Sequence, residues 1–278
     1  MRIPKFHLIL TIILLNIGLV HAQKKEKIKG SKFITVSQHD VDDFDTIEIL
    51  DDLEIYLIAS DKPQVEIEAD DNLHDIVEKK VVGNRLVLST KQEATGAKKF
   101  QIRVLYTPNL KLVEVKDDSQ LNALQHMELP NITVKNFDNS KSFLNVKSQT
   151  FTLILTDKSK AELNFSGENA SLELNKNVSI KALITSNMFK LDMYQKASAT
   201  IEGDVAKGKI RLDNDATYKG KNMTFVNLDV LTETNSKAVV TVKESINISA
   251  SGKSEIEIYG APTFTIKQFA GKATLYKK

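Results

Sequence analysis

The sequence contains no cysteine and no tryptophan. Without cysteine there is no disulfide, no thiolate nucleophile and no thiolate metal ligand, so a continuous core must hold the fold together. Aromatic residues make up only 6% of the chain, which leaves few platforms on which sugar rings could stack. Histidine is also scarce. Beyond residue 22 only His39, His74 and His126 remain, far apart in the sequence and without H-x-H or H-E-x-x-H spacing. Each reads as an exposed or packed side chain rather than a metal ligand. No G-x-S-x-G, G-x-G-x-x-G or G-x-x-x-x-G-K-[ST] occurs, so a hydrolase elbow and a nucleotide loop have no support.

Long apolar runs are confined to the start, MRIPKFHLILTIILLNIGLVHA. Arg2 and Lys5 precede the apolar stretch Leu8 to Val20, and Val20 and Ala22 occupy the −3 and −1 positions before Gln23. This predicts a secretory signal peptide over residues 1–22, too short to be a membrane span. Gln23 supplies no cysteine for lipid attachment. Removing Arg2 and Lys5 leaves 36 basic side chains against 36 acidic ones. A neutral mature chain gives no electrostatic case for nucleic acid.

What is there is alternation. A charged leader (23–39) gives way to the β-rich part 40–109, with TIEI (46–49), LEIYLI (53–58), VEIEA (65–69), RLVLST (85–90) and FQIRVLY (100–106). All have one apolar face at period two. Gly83-Asn84 predicts a hairpin turn. DNLHDIVEKK (71–80) is the one candidate helix, with Asp71 or Asn72 as N-cap.

From residue 110 to 278 the strands become short and regularly spaced. DNSKSFLNV (138–146) returns as DKSKAELNF (157–165). Aligning the small residue that opens each second strand gives Ser119, Ser140, Ser159, Ser179, Ser198, Ala216, Ser236, Ser254 and Ala273. The interval is about nineteen residues, with two strands per unit and no helix. Such a period predicts a β-solenoid. Leucine-rich repeats lack their signature here, and propeller blades need about forty residues. A β-sandwich remains the alternative, because its turns recur at similar local spacing. In the solenoid, Leu153, Leu155, Leu163, Phe165, Leu172 and Leu174 point inward, and Phe137, Phe151, Phe189 and Phe264 fit inward positions too.

FQIRVLYTPNLKLVEVKDDSQLNAL (100–124) passes from a strand through Thr-Pro-Asn-Leu to a second strand and a polar turn that starts the ladder. With the lead-in over 44–90 and the signal peptide, it resembles the putative auto-transporter adhesin head GIN domain family of exported bacterial proteins, common in Bacteroidetes. The resemblance covers about residues 40–260. It departs from the family at the turns, where Asp, Asn and Lys replace glycine. The resemblance implies an all-β fold, a right-handed parallel β-helix-like solenoid, at the periplasm or cell surface.

Asp117, Asp118, Asp138 and Asp157 fall at equivalent turns, with Asp213 and Asp215 near the matching turn later. Stacked about 4.8 Å apart, such carboxylates approach the spacing of a retaining glycosidase, and they could also gather Ca²⁺. Capping of turn N–H groups is the simpler role. Lys141, Lys158, Lys160, Lys196, Lys237 and Lys253 either guard strand edges or form a basic stripe for an anionic polysaccharide. Tyr194, Tyr218 and Tyr259 are the candidate ligand contacts, by virtue of an apolar face and a polar tip. The expectation is an exported, non-enzymatic adhesin-like or envelope-scaffold protein. It would bind glycan or protein through its solenoid faces, with no catalytic residue, cofactor or metal and no transmembrane span in the mature chain. The alternative is a polysaccharide lyase or hydrolase that uses the acidic turn residues.

Overall fold

Residues 25–278 are described by a computed structural model, and the expected signal peptide lies outside the described residues. The chain folds into a β-solenoid of about nine turns. From Lys141 to Ala250 each rung is one bent strand: Lys141–Leu155, Lys160–Asn175, Ser179–Tyr194, Ser198–Leu212, Thr217–Thr232 and Lys237–Ala250. Consecutive rungs pair in parallel. Lys141 faces Lys160, Lys160 faces Ser179 and Ser179 faces Ser198, a step of nineteen residues each time.

The bend has a simple origin in the pattern. In the Lys141 rung, Ser142, Leu144, Val146 and Ser148 are buried, then Gln149 and Thr150 are both exposed, and burial resumes at Phe151, Leu153 and Leu155. Two outward residues in succession shift the phase of alternation by one. The two halves of the rung thereby turn their apolar sides toward each other. Gly167 serves this corner in the next rung: a Cβ there would lie 1.8 Å from the Ser148 carbonyl oxygen.

The core is a set of vertical ladders. One runs Leu86, Ile47, Val113, Val134, Leu153, Leu172, Leu191, Ile210, Val230 and Ile248, all paired in register and all buried. Phe151 stacks on Phe165 at 5.6 Å and Phe189 on Phe225 at 6.4 Å. Each fully buried aliphatic or aromatic side chain contributes about 1.5–3 kcal/mol. Phe151, Phe165 and Phe189 are core as the alternation predicts, whereas Phe137 and Phe264 are only half-buried.

The turns repeat as faithfully. The Ser140 N–H bonds to the Phe137 carbonyl at 3.1 Å and the Ser159 N–H to the Thr156 carbonyl at 3.2 Å. Two residues before the residue that opens each rung the backbone is left-handed: Asp117, Asp138, Asp157, Lys176, Gln195, Asn214, Thr234, Gly252 and Gly271. The register corrects two positions of the ladder read from sequence. The buried residues opening those rungs are Val178 and Ala197, not Ser179 and Ser198.

The first rungs are stacked out of chain order. Thr46–Ile49 lies between Arg85–Thr90 and Leu112–Val115, pairing with both in parallel. Glu54–Ala59 likewise pairs with Phe100–Tyr106 and with residues 120–122. Antiparallel strands close this end: Val77–Val82 on Arg85–Thr90 through the Gly83-Asn84 hairpin, Gln64–Asp70 on Phe100–Tyr106, and Ile34–Asp40 outermost. The stretch expected as a charged leader over residues 23–39 carries the strand Lys27–Lys29 and most of the strand Ile34–Asp40. The predicted helix over 71–80 is instead one 3-10 stretch, Asp71–Ile76, preceded by Asp70 and followed by the strand Val77–Val82. Val77, Val81 and Val82 favour that strand over a helix. Buried Asp70 accepts N–H bonds from Lys32, Lys98 and Lys99 at 2.9–3.0 Å and thereby ties the N-terminal segment to the cap.

Candidate functional site

The turn aspartates are bound by the backbone. The Asp51 N–H donates to the Asp117 carboxylate at 2.7 Å, the Asp117 N–H to Asp138 at 3.1 Å, and the Asp138 N–H to Asp157 at 3.4 Å. Lys25 caps Asp51 and Lys176 caps Asp157, each at 2.5 Å. The Lys176 hydrogen bond holds the Asp157 carboxyl below its usual range, against a smaller opposing effect of burial. Asp213 accepts from the Asn214 N–H and from the Thr234 hydroxyl. These acids are spaced like catalytic carboxylates but are engaged as a ladder that ties turn to turn. Among the described residues no group of three or more His, Asp or Glu side chains could hold a metal ion.

Histidine spacing concealed one contact. Ser37 Oγ lies 2.7 Å from His74 Nδ1 and 3.1 Å from His39 Nε2, and Thr35 Oγ1 lies 2.8 Å from His74 Nε2. The outermost strand and the 3-10 stretch bring these groups together. Burial pushes the His39 pKa down, with Lys79 and His74 adding to it. A neighbouring ammonium opposes binding of a metal cation at this pair.

The three tyrosines do not share a surface. Tyr218 is fully buried, which removes it from the ligand contacts expected from sequence. It points inward between Ala199 and Ala238 of the adjoining rungs. Gly220 leaves the space its ring fills, and its hydroxyl reaches only the Met223 sulfur at 3.2 Å. Tyr194 lies near the opposite end of its rung, its ring 5.6 Å from the Arg211 guanidinium. Tyr259 lies on the first-half face, with Lys221 4.8 Å above it.

A concave part of the surface lies on that first-half face, with a further hollow of about 410 Å³ at the corner by Pro130, Ser148 and Gly167. A depression of about 350 Å³ is lined by Lys141, Phe143, Lys160, Glu162, Lys181 and Ser198, among others. It continues into a groove of about 510 Å³ past Leu124, Asn145, Asn164, Leu183 and Glu202. At the turn edge another hollow of about 620 Å³ adds Asp52, Asp118, Asn139, Lys158 and Asn177. The register explains the shape. Lys141 and Lys160 occupy one outward position in two rungs, and Ser179 and Ser198 occupy it in the next two. Long side chains therefore overhang short ones. None of Lys141, Lys158, Lys160 and Lys181 joins an ion pair among the described residues. At the acidic end, burial and then the charges of Asp118 and Glu93 raise the Asp52 pKa, with Lys141 opposing them.

The sequence model of the family described as "Putative auto-transporter adhesin, head GIN domain" matches residues 43–262. The chain belongs to this family. The head GIN domain fold is also seen in crystal structures. A "putative adhesin" from Parabacteroides distasonis ATCC 8503 is similar with a TM-score of 0.68 and 17% identity, over 91% of this chain and 100% of that one. A "putative adhesin" from Parabacteroides merdae ATCC 43184 gives 0.62 and 16%, over 91% and 99%. A "putative lipid binding protein" from Parabacteroides distasonis ATCC 8503 gives 0.61 and 13%, over 91% and 100%. At these identities the likeness concerns the fold. No curated protein matches the chain. Among the described residues, no helix is long and apolar enough to cross a membrane.

Proposed function

We propose that this head GIN domain is an exported, non-enzymatic adhesin-like module of the cell envelope that binds a glycan or protein on one face of its solenoid. The observation that carries the reading is the lysine-lined depression and the groove that continues from it on the first-half face. A rigid solenoid can hold such a face without a moving part. Tyr259 is the one of the three candidate tyrosines on that face and extends the contact surface along the axis, while Tyr194 offers a separate contact beside Arg211. The turn acids support binding over catalysis, because their carboxylates are already held by backbone N–H groups.

A second reading rests on Asp52 and Asp118, which meet at the turn edge of the depression, one with a raised pKa. A carboxyl group of raised pKa beside a second carboxyl group is an arrangement that acid–base cleavage of a polysaccharide can use. Incubation with a panel of immobilised and soluble glycans and envelope proteins separates the readings. Retention of a partner without product formation is expected. Release of shortened or unsaturated sugar, abolished by Asp52→Asn or Asp118→Asn, would overturn the non-enzymatic reading.

A further inference from the structure

We propose that the depression on the first-half face takes an acidic polysaccharide, laid along the solenoid axis across successive rungs. This rests on the binding-module reading above and names its ligand class. Lys141 and Lys160 stand directly opposite each other in neighbouring strands, about 4.8 Å apart at the backbone. Like charges so placed destabilise a sheet. Lys158 and Lys181 border the same hollows, and none of the four lies within ion-pair distance of a carboxylate, although Glu162 stands in register with Lys181. Where charges stack elsewhere, acids intervene: Arg85 lies between Glu48 and Glu114, and Asp192 holds Lys190 at 2.5 Å. Lysine ammonium groups free of ion pairs around a hollow offer donors and positive charge to an anion.

The remaining lining suits sugar. Ser179, Ser198 and Thr200 offer hydroxyls, and Asn145 and Asn164 offer amides. Half-buried Phe143 gives one apolar ring face for a pyranose. Exposed Leu124 and Leu183 extend the apolar strip. A chain crossing the rungs meets a new outward side chain about every 4.8 Å, so regularly spaced carboxylates or sulfates can be matched in turn. Glu162, in register with Lys181, together with Asp52 and Asp118 at the turn edge, keeps anions to the lysine-rich middle of the band.

The test measures binding of the protein to polygalacturonate, heparin, neutral dextran and phosphatidylglycerol-containing vesicles at low and high salt. Binding to an acidic polysaccharide is expected, with affinity falling as salt rises and little affinity for dextran. The double substitution Lys160→Gln/Lys181→Gln should weaken binding roughly tenfold. It should leave the melting temperature unchanged or raise it, because it removes one partner of the stacked lysine pair. A purely structural role for these lysines would instead lower it. Lys253→Gln/Lys272→Gln, away from the band, should leave binding unchanged. Equal affinity for dextran, preference for vesicles, or full affinity in the Lys160/Lys181 variant would overturn the inference. If the protein retains an envelope protein but none of these polysaccharides, the ligand class is refuted and the adhesin-like reading stands.

Discussion

Asp138 tests what the turns contribute. Its φ is 55°, a conformation that L-residues other than glycine and the short polar residues adopt at a cost of roughly 1–2 kcal/mol. Its carboxylate accepts the Asp117 N–H at 3.1 Å, a bond worth about 1 kcal/mol net. Asp138→Ala loses the bond and keeps the left-handed strain without a polar side chain to ease it. The combined cost is about 2 kcal/mol, or roughly 4–8 °C in melting temperature for a chain of this size. Asp138→Gly loses the same bond but relieves the strain, so it should fall within about 0.5 kcal/mol of the parent. Asp138→Asn retains an acceptor and tolerates the conformation, and should be close to neutral. Thermal and urea unfolding of the four proteins provide the comparison. If the glycine variant is as unstable as the alanine one, backbone strain does not govern this turn. If the asparagine variant is as unstable as the alanine one, and calcium raises only the parent's midpoint, ion binding replaces the hydrogen-bond account.

Gly167→Ala should cost about 3 kcal/mol in urea unfolding, because its Cβ would meet the Ser148 carbonyl oxygen at 1.8 Å, and overpacked backbone cannot move aside cheaply. Parent-like stability would show that the corner is soft. Tyr218→Phe should change the melting temperature by less than about 2 °C and leave ligand binding intact, since the phenol bonds only to the weakly accepting Met223 sulfur. Loss of binding in that variant would restore the tyrosine to the site. The depressed Asp157 pKa gives stability that is complete above the unfolded value of 3.8 and disappears as pH falls through the lower folded value. Lys176→Met should therefore be less stable than the parent at pH 7 and equal to it near pH 2, and a constant difference across that range would refute the linkage.

The period was legible because the solenoid repeats a physical demand. Each rung needs a small or apolar buried residue after its turn, and the spacing survives even where the residue type changes. Ser179 and Ser198 match the small polar residues of the other rungs in type, although Val178 and Ala197 meet the demand by being buried. The left-handed residue two positions earlier marks the turn better in structure, but Lys176 and Gln195 do not look like turn residues in a sequence. Tyr218 was misplaced for a related reason. Its hydroxyl suggested an outward position, while the alternation of Ala216, Tyr218 and Gly220 already placed it on the inner side. Two features were beyond local pattern. Insertion of Thr46–Ile49 between strands that follow it in the chain depends on pairing 66 residues away. The meeting of His39 with His74 depends on the same folded cap.

The lysine band stands between these cases. Its residues were visible one by one, and their common position was visible once the period was known. The hollow was not, because it arises from the step between Lys160 and Ser179 in adjoining rungs. That step gives the argument for function its physical content. Every inward position fills the core, and the early turn acids satisfy backbone donors in the neighbouring rung. Outward positions are free to optimise the sheet, and many do so by pairing opposite charges. Lys141 over Lys160 does the reverse, placing like charges directly opposite each other, an arrangement that costs the sheet stability. A repeat protein can replace one rung position without disturbing the rest, so neutral substitution at Lys141 or Lys160 separates a role in the fold from the proposed role in binding.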